Sequence, residues 1–300
     1  MTTPQQLHIP VLFDATLRLL SPKVGERYLD LTAGYGGHAR GIIKRIGDAK
    51  LATLCDRDQF ALSHLDDLKN QGAQLIHSDY LSAVKDLLGQ GADFDMVLLD
   101  IGVSSVQLDM ASRGFSFNKP GELDMRMDKS ADFSAKDLIR EYSEKSLINL
   151  FINYGEMSPK VSAKIARAIV IRRKQQAFLR TDDLAEVIRR TIGELDHGKY
   201  HKAHPATKAF QAIRIEVNDE LNQLKEVLPL TVSILNSGGR LAVISFHSLE
   251  DRIVKTFMKD SSGGIDGSLN ILTKKPIRGD IDDVYNPRAR SARLRVAIKK

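Results

Sequence analysis

Three glycines, Gly34, Gly36 and Gly37, follow Asp30 in the stretch LDLTAGYGGHARGI, between an apolar run and a helical pattern. Glycine adopts the backbone angles of a tight turn and lets a ligand approach closely, so this spacing predicts a nucleotide-type ligand held at a helix start. Gly34, Gly36 and Ala39 match G-x-G-x-x-G/A, and Asp56 stands 20 residues beyond Gly36, as in a dinucleotide site. Asp30 argues otherwise. A carboxylate beside the turn repels a pyrophosphate but attracts a sulfonium and an ammonium, the two cationic groups of S-adenosylmethionine. Asp56 can accept hydrogen bonds from ribose hydroxyls with either ligand. Asp79 and Tyr80 fall where an adenine edge and face would lie, and Asp100 ends a further apolar run, facing the crevice where strand order reverses. Four acids at the carboxyl ends of four strands form a more specific pattern than the glycines alone. The competing reading is that acids after strands merely cap helices.

These residues need a scaffold that presents strand ends together. The first hundred residues alternate strand and helix signals: strands over Arg27 to Leu31, Leu51 to Cys55, AQLIHSDY and FDMVLLDIG, with helices from His38 to Ile46, after Asp58 as cap, and from Ser82 as cap to Leu88. The unbroken apolar run Met96 to Leu99 predicts a strand covered on both faces, hence a parallel sheet and an α/β doubly wound fold. From Gln107 the alternation stops. Helices are expected over VSAKIARAIVIRR and after Thr181 as cap. One long helix then carries Phe210, Ile213, Val217, Leu221 and Leu224 until Pro229. NSGGRLAVISF, LNILTKK and ARLRVAI read as later strands, Ser248 and Asp251 as a capping box, and DSSGGIDGS as a loop. The expected organisation is therefore 1–106 and 206–300 as one α/β domain, with 107–205 as a helical insertion.

Composition narrows the rest. No stretch is long and apolar enough to span a bilayer, no signal peptide pattern opens the chain, and Cys55 is its one cysteine, so a cytoplasmic protein without disulfides or a membrane partner is expected. The net charge of +6 is uneven: nine Lys or Arg face three acids between Lys160 and Arg190, and again between Lys274 and Lys300. Such runs are either solvated faces or footprints for phosphates. A Walker loop would need Lys after Gly41, where Ile42 stands, and no G-x-S-x-G elbow supports His247 as a hydrolase residue. His197, His201 and His204 lack cysteine companions and are not expected to bind metal.

The stretch DIGVSSVQLDMASRGFSFNKPGELDMRMD resembles one family, the ribosomal RNA small subunit methyltransferase H or MraW family. HIPVLFDATLRLL, GYGGHARGII, DRD, YGE with KIARAIV, HPATKAFQAIRIEVNDEL, GGRLAVISFHSLEDRIVK and NPRARSARLRV extend the likeness in order across nearly the whole chain. The resemblance implies a class I S-adenosylmethionine-dependent methyltransferase domain, Rossmann-like, interrupted by a small helical domain. It implies methylation of the 4-amino group of a decoding-centre cytidine in bacterial 16S rRNA, within the small subunit or a late assembly particle. It carries cofactor contacts onto Gly36, Gly37, His38, Asp56, Tyr80, Asp100 and Gln107, beside Asp30 and Gly34 already singled out. LTAGYGGH departs from the family's GTxGxGGH, Tyr80 stands where phenylalanine is frequent, and Cys55 where an aliphatic residue is usual.

Under that resemblance Asp100 is also the candidate catalytic group, accepting a hydrogen bond from the cytidine amino group as its nitrogen attacks. Arg172, Arg173, Lys174, Arg288, Arg290 and Arg293 of the basic runs become RNA contacts, together with Arg113 and Arg126 outside them, Arg126 being also placed to pair with Asp124 or Asp128. Two rival functions follow from the same residues, an NAD-dependent oxidoreductase and a non-catalytic rRNA-binding assembly factor. Cofactor binding separates all three.

Overall fold

The computed structural model describes residues 10–195, 206–263 and 267–300, which form two units: 1–102 with 221–300, and 103–220. The first contains α1 (Phe13–Leu20), β1 (Tyr28–Asp30), α2 (Gly37–Ile46), β2 (Ala52–Asp56), α3 (Gln59–Leu62), α4 (Asp66–Asn70), β3 (Gln74–His77), α5 (Tyr80–Gly89) and β4 (Phe94–Asp100). The second holds α6 (Ser105–Asp109), α7 (Ala135–Glu141), α8 (Glu144–Asn153), α9 (Pro159–Gln175), α10 (Thr181–Leu195) and α11 (Thr207–Asn218). The first unit resumes with α12 (Glu220–Ile234), β5 (Leu235–Ser245), α13 (Ser248–Ser262), β6 (Leu269–Ile271), β7 (Ile277–Arg278), α14 (Gly279–Asp282) and β8 (Arg293–Lys299).

The sheet runs β3-β2-β1-β4-β5-β8-β6, with β7 also on β8; β3 to β5 are parallel and β8 is antiparallel to its neighbours. Side chains alternate between two covered faces. Tyr28, Met96, Leu98, Ala242 and Ile244 join the apolar cluster of α1 and α2, while Leu29, Val97, Leu99, Leu241 and Val243 join that of α5, α12 and α13. Both faces are dry, as the apolar runs require. The chain winds outward from β1 in one direction and from β4 in the other, so the switch point of this Rossmann-like α/β sheet lies between the ends of those two strands.

Several expectations are corrected. The expected long helix is two: Asp219 adopts a left-handed φ of 49° between α11 and α12, and Pro229 sits inside α12. Phe210 and Ile213 of α11 pack in the helical unit's own core, so that unit ends at Glu220 rather than at residue 205. It likewise begins at Val103, ahead of the expected Gln107. Asp79 caps α5 in place of Ser82, accepting from the Leu81 and Ser82 amides at 3.0 and 2.9 Å. At α13 the capping box is His247 with Glu250, not Ser248 with Asp251, and the helix runs to Ser262 through part of the expected loop. Thr181 begins α10 instead of capping it, and its hydroxyl accepts from the Gly121 amide at 3.1 Å. His197, His201 and His204 lie outside the described residues. Among the described residues no helix is long and apolar enough to cross a membrane.

Candidate active site

The glycine loop is held from both sides. Gly34 and Gly36 have φ of 52° and 77°, which favours glycine, and Gly36 is the cap of α2. A Cβ on Gly36 would lie 2.7 Å from Leu65 Cδ2, and one on Gly37 would lie 2.5 Å from Pro10 Cγ. Asp56, at the end of β2, accepts from the Gly34 amide at 2.7 Å and the Asp58 amide at 2.8 Å, one on each carboxylate oxygen. Each oxygen keeps a lone pair for a further donor. Tyr80 opens α5 and is 8% exposed, most of its ring belonging to the cluster with Leu31, Cys55 and Val84.

Asp30 is placed differently from expectation. Its side chain is buried at 1% exposure, accepting from Tyr28 Oη at 2.6 Å and from the Thr32 amide at 3.1 Å. It underlies the loop, engaged by Tyr28 and Thr32 on the interior side of the strand end, rather than standing open beside the turn as the sequence suggested. Burial raises its pKa to about 7 against the hydrogen bonds from Tyr28 and Thr32. Tyr28 supplied the missed signal: two residues back on one strand, it must point to the same face as Asp30.

Asp100 ends β4 beside it. The Asp100 amide donates to Thr32 Oγ1 at 2.6 Å, tying the two strand ends together across the switch point. His38 Nε2 stands 3.6 Å from Asp100 Oδ2, and Oδ1 is buried with no hydrogen-bond partner among the described residues. Burial, then the charges of Asp30 and Glu250, raise its pKa to about 8. Burial also raises the pKa of Asp56. Three acids thus crowd the strand ends at an electrostatic cost that a cation relieves and a pyrophosphate aggravates. An orphaned carboxylate oxygen, a loop crowded against any Cβ at Gly36 and Gly37, and acids surplus to their internal partners fit S-adenosylmethionine. Gln107 belongs to the helical unit, where its side chain accepts from the Ser104 amide at 2.9 Å and closes the cap of α6.

The basic residues divide sharply. Arg113 is 3% exposed and donates to the Met127 carbonyl at 2.8 Å and the Arg126 carbonyl at 3.3 Å. Arg126 is bidentate to Asp124 and also reaches the Ala131 carbonyl at 2.6 Å. Arg172 grips both oxygens of Asp183 at 3.0 Å and lies over the Phe178 ring, while Arg173 donates to the Ile139 and Tyr142 carbonyls at 2.6 and 2.7 Å. For these four the expected RNA contact is corrected: their guanidiniums hold the helical unit together. Lys174, Arg288 and Arg290 are exposed, and Arg293 is 44% exposed while bonded to Asp251 at 2.9 Å. Arg126 takes the nearby Asp124 that the sequence offers it, but the partners of Arg113, Arg172 and Arg173 lie 11 or more residues away, where a count of charges does not find them.

A sequence model of the MraW methylase family matches residues 5–300. Among curated proteins, "Ribosomal RNA small subunit methyltransferase H" of a Synechocystis species is 43% identical over 97% of this chain and 93% of its own length. The protein of that name from Heliobacterium mobile is 42% identical over 97% of this chain and 98% of its own. That from Acidobacterium capsulatum is 40% identical, covering 99% of both chains.

Proposed function

We propose, from the premise that the chain belongs to the MraW methylase family, that it methylates the 4-amino group of a cytidine in small-subunit rRNA using S-adenosylmethionine. The observation that carries this reading is the pair of linked acids at the switch point, Asp30 beneath the loop and Asp100 with an unpaired buried oxygen. When bound, S-adenosylmethionine supplies an electrophilic methyl group. The chain's own groups do the positioning: Asp56 accepts from ribose hydroxyls, Tyr80 abuts the adenine, and the αL glycines keep side chains out of the way.

An exocyclic cytosine nitrogen is a weak nucleophile because its lone pair is conjugated with the ring. Asp100 Oδ1 is the acceptor for one amino N–H, an interaction that strengthens as the nitrogen pyramidalises and gains positive charge. Thr32 fixes the Asp100 backbone, and His38 stands by the other oxygen, so the acceptor is oriented before the substrate arrives. The target base must be unpaired or extruded to reach this depth. Small subunits from a strain lacking the modification, incubated with the protein and methyl-labelled cofactor, are expected to gain label on one cytidine. Labelling of no RNA, with the cofactor bound, would refute the proposal.

Asp56→Ala is expected to weaken cofactor binding by about 10- to 100-fold, the loss of one or two charge-assisted hydrogen bonds. Calorimetry with circular dichroism on the same sample checks it. Equal affinity in a folded variant would remove Asp56 from the site.

A further inference from the structure

Beyond β5, at the same carboxyl end of the sheet as Asp100, a cleft of about 290 Å³ opens among Arg278, Arg290, Arg293, Ser291 and Ser248. Asp280 also lines it and neutralises Arg278, bonding to it at 3.0 and 2.6 Å. The remaining charges do not cancel. Arg293 and Arg295 share the single carboxylate of Asp251, at 2.9 and 2.7 Å, which leaves one positive charge over. Arg290 is exposed and has neither a hydrogen bond nor an ion pair among the described residues, nor does the Ser291 side chain. The cleft therefore presents two uncompensated cations and the Ser291 hydroxyl around a space large enough for a phosphate.

The walls are preformed. The Gly279 amide donates to the Ala292 carbonyl at 3.0 Å, and the Ala292 amide to that of Ala289 at 2.8 Å. A Cβ on Gly279 would sit 1.8 Å from the Ala289 carbonyl oxygen, so glycine alone permits this approach between the segments carrying Arg278 and Arg290. Phe246 joins the cleft to the switch point: it lines the cleft, and its ring lies 3.4 Å from where a Cβ on Gly102 would stand, two residues past Asp100. The loop between α14 and β8 also carries Tyr285, 97% exposed, with Val284 at 60%. A ring that far into solvent contributes nothing to packing, and on the same loop as Arg290 it is free to stack on a nucleobase.

We propose that this cleft seats a backbone phosphate of the RNA strand beside the target nucleotide, with a neighbouring base on Tyr285. This deepens the rRNA methyltransferase reading and rests on it for the identity of the strand. The cleft would hold the strand from the side of β5, while the acids of the switch point take the cofactor and the target base.

The test measures binding of a fluorescent single-stranded RNA oligonucleotide across a salt series for the wild type, Arg290→Gln and Tyr285→Ala. Both replaced side chains are exposed, so the variants should fold. Arg290→Gln is expected to lower the slope of log K against log salt by about 0.7, one phosphate contact on a single strand. Tyr285→Ala is expected to weaken binding about 10-fold with the slope unchanged. Cofactor affinity should equal wild type in both. An unaltered slope in Arg290→Gln overturns the proposal. If inorganic phosphate binds saturably and loses affinity in Arg290→Gln while the RNA slope stays fixed, the cleft takes a free anion and the RNA assignment is likewise overturned. Methylation of small subunits by the wild type is scored separately: its absence sinks the rRNA reading, whereas its presence with an unaltered slope sinks the cleft alone.

Discussion

Asp100→Asn is expected to raise the cofactor dissociation constant by about 10- to 100-fold, the range for removing a charge-assisted contact, and to slow methyl transfer at saturating cofactor and RNA. The variant keeps the shape of the side chain and removes its charge. In the wild type, burial with the charges of Asp30 and Glu250 holds the Asp100 pKa at about 8, so the carboxyl is largely protonated at neutral pH without a ligand. A cationic ligand favours the ionised form, and wild-type affinity should climb as pH rises through that value. The ligand's own ammonium, with a pKa of roughly 8, loses charge over the same range. It does so with both proteins, and the difference between their pH profiles isolates Asp100. Single-turnover rate supplies the second arm: a fall of about 100-fold fits an acceptor that engages the amino group in the transition state. A rate equal to wild type, with chemistry limiting, would confine Asp100 to cofactor binding.

The same shift predicts how the ligand-free protein responds to pH. A carboxyl whose folded pKa lies above its unfolded value of about 3.9 stabilises the fold fully below that value and loses its contribution as pH rises through the folded pKa. For Asp30 and Asp100 the folded values are about 7 and about 8, so stability should decline between about pH 4 and 8 and cofactor should restore it most at the alkaline end. Thermal unfolding with and without ligand measures both. Stability independent of pH across that window would contradict the buried, mutually repelling acids.

What was legible in the sequence follows the physics that acts locally. Runs such as Met96 to Leu99, alternating with helical patterns, read as covered strands, and a glycine turn between a strand and a helix admits few ligands, so the sheet and a nucleotide-type ligand could be read directly. Asp219 could not. The apolar positions from Phe210 to Leu224 keep helical spacing straight across it, because α11 and α12 each continue the period while one left-handed residue turns the chain between them. Asp30 shows the complementary failure. Its type and position suit a cation partner, yet Tyr28 beside it on the same face takes the carboxylate into the interior. Asp79 was read as a ligand contact and spends its oxygens on the start of α5, the bland alternative for an acid after a strand. Tyr285 and Arg278 were passed over, since exposure and clustering at a cleft arise only once β7, α14 and β8 are folded together.

Arg113 gives the sharpest separation between charge as RNA contact and charge as scaffold. Its guanidinium is buried over the Phe115 ring, 5.9 Å from the ring centre, and donates to carbonyls on the Met125 to Met127 turn, while its own carbonyl accepts from the Met125 amide at 3.1 Å. Met125 holds a left-handed φ of 60°, and Asn218 of α11 clamps the same turn, accepting from the Met127 amide at 2.9 Å and donating to the Met125 carbonyl at 2.8 Å. Arg113→Ala would leave buried carbonyls unsatisfied and a void beneath Phe115, for a loss of roughly 3–5 kcal/mol. That corresponds to a fall in melting temperature on the order of 10 °C. Arg113→Lys should recover part of it, since an ammonium can donate to the same carbonyls but lacks the planar guanidinium that lies over the Phe115 ring. Measured below its unfolding transition, Arg113→Ala should bind RNA with the wild-type salt slope, because no phosphate contact has been lost. A reduced slope with an unchanged melting temperature would return Arg113 to the RNA interface and remove it from the framework of the helical unit.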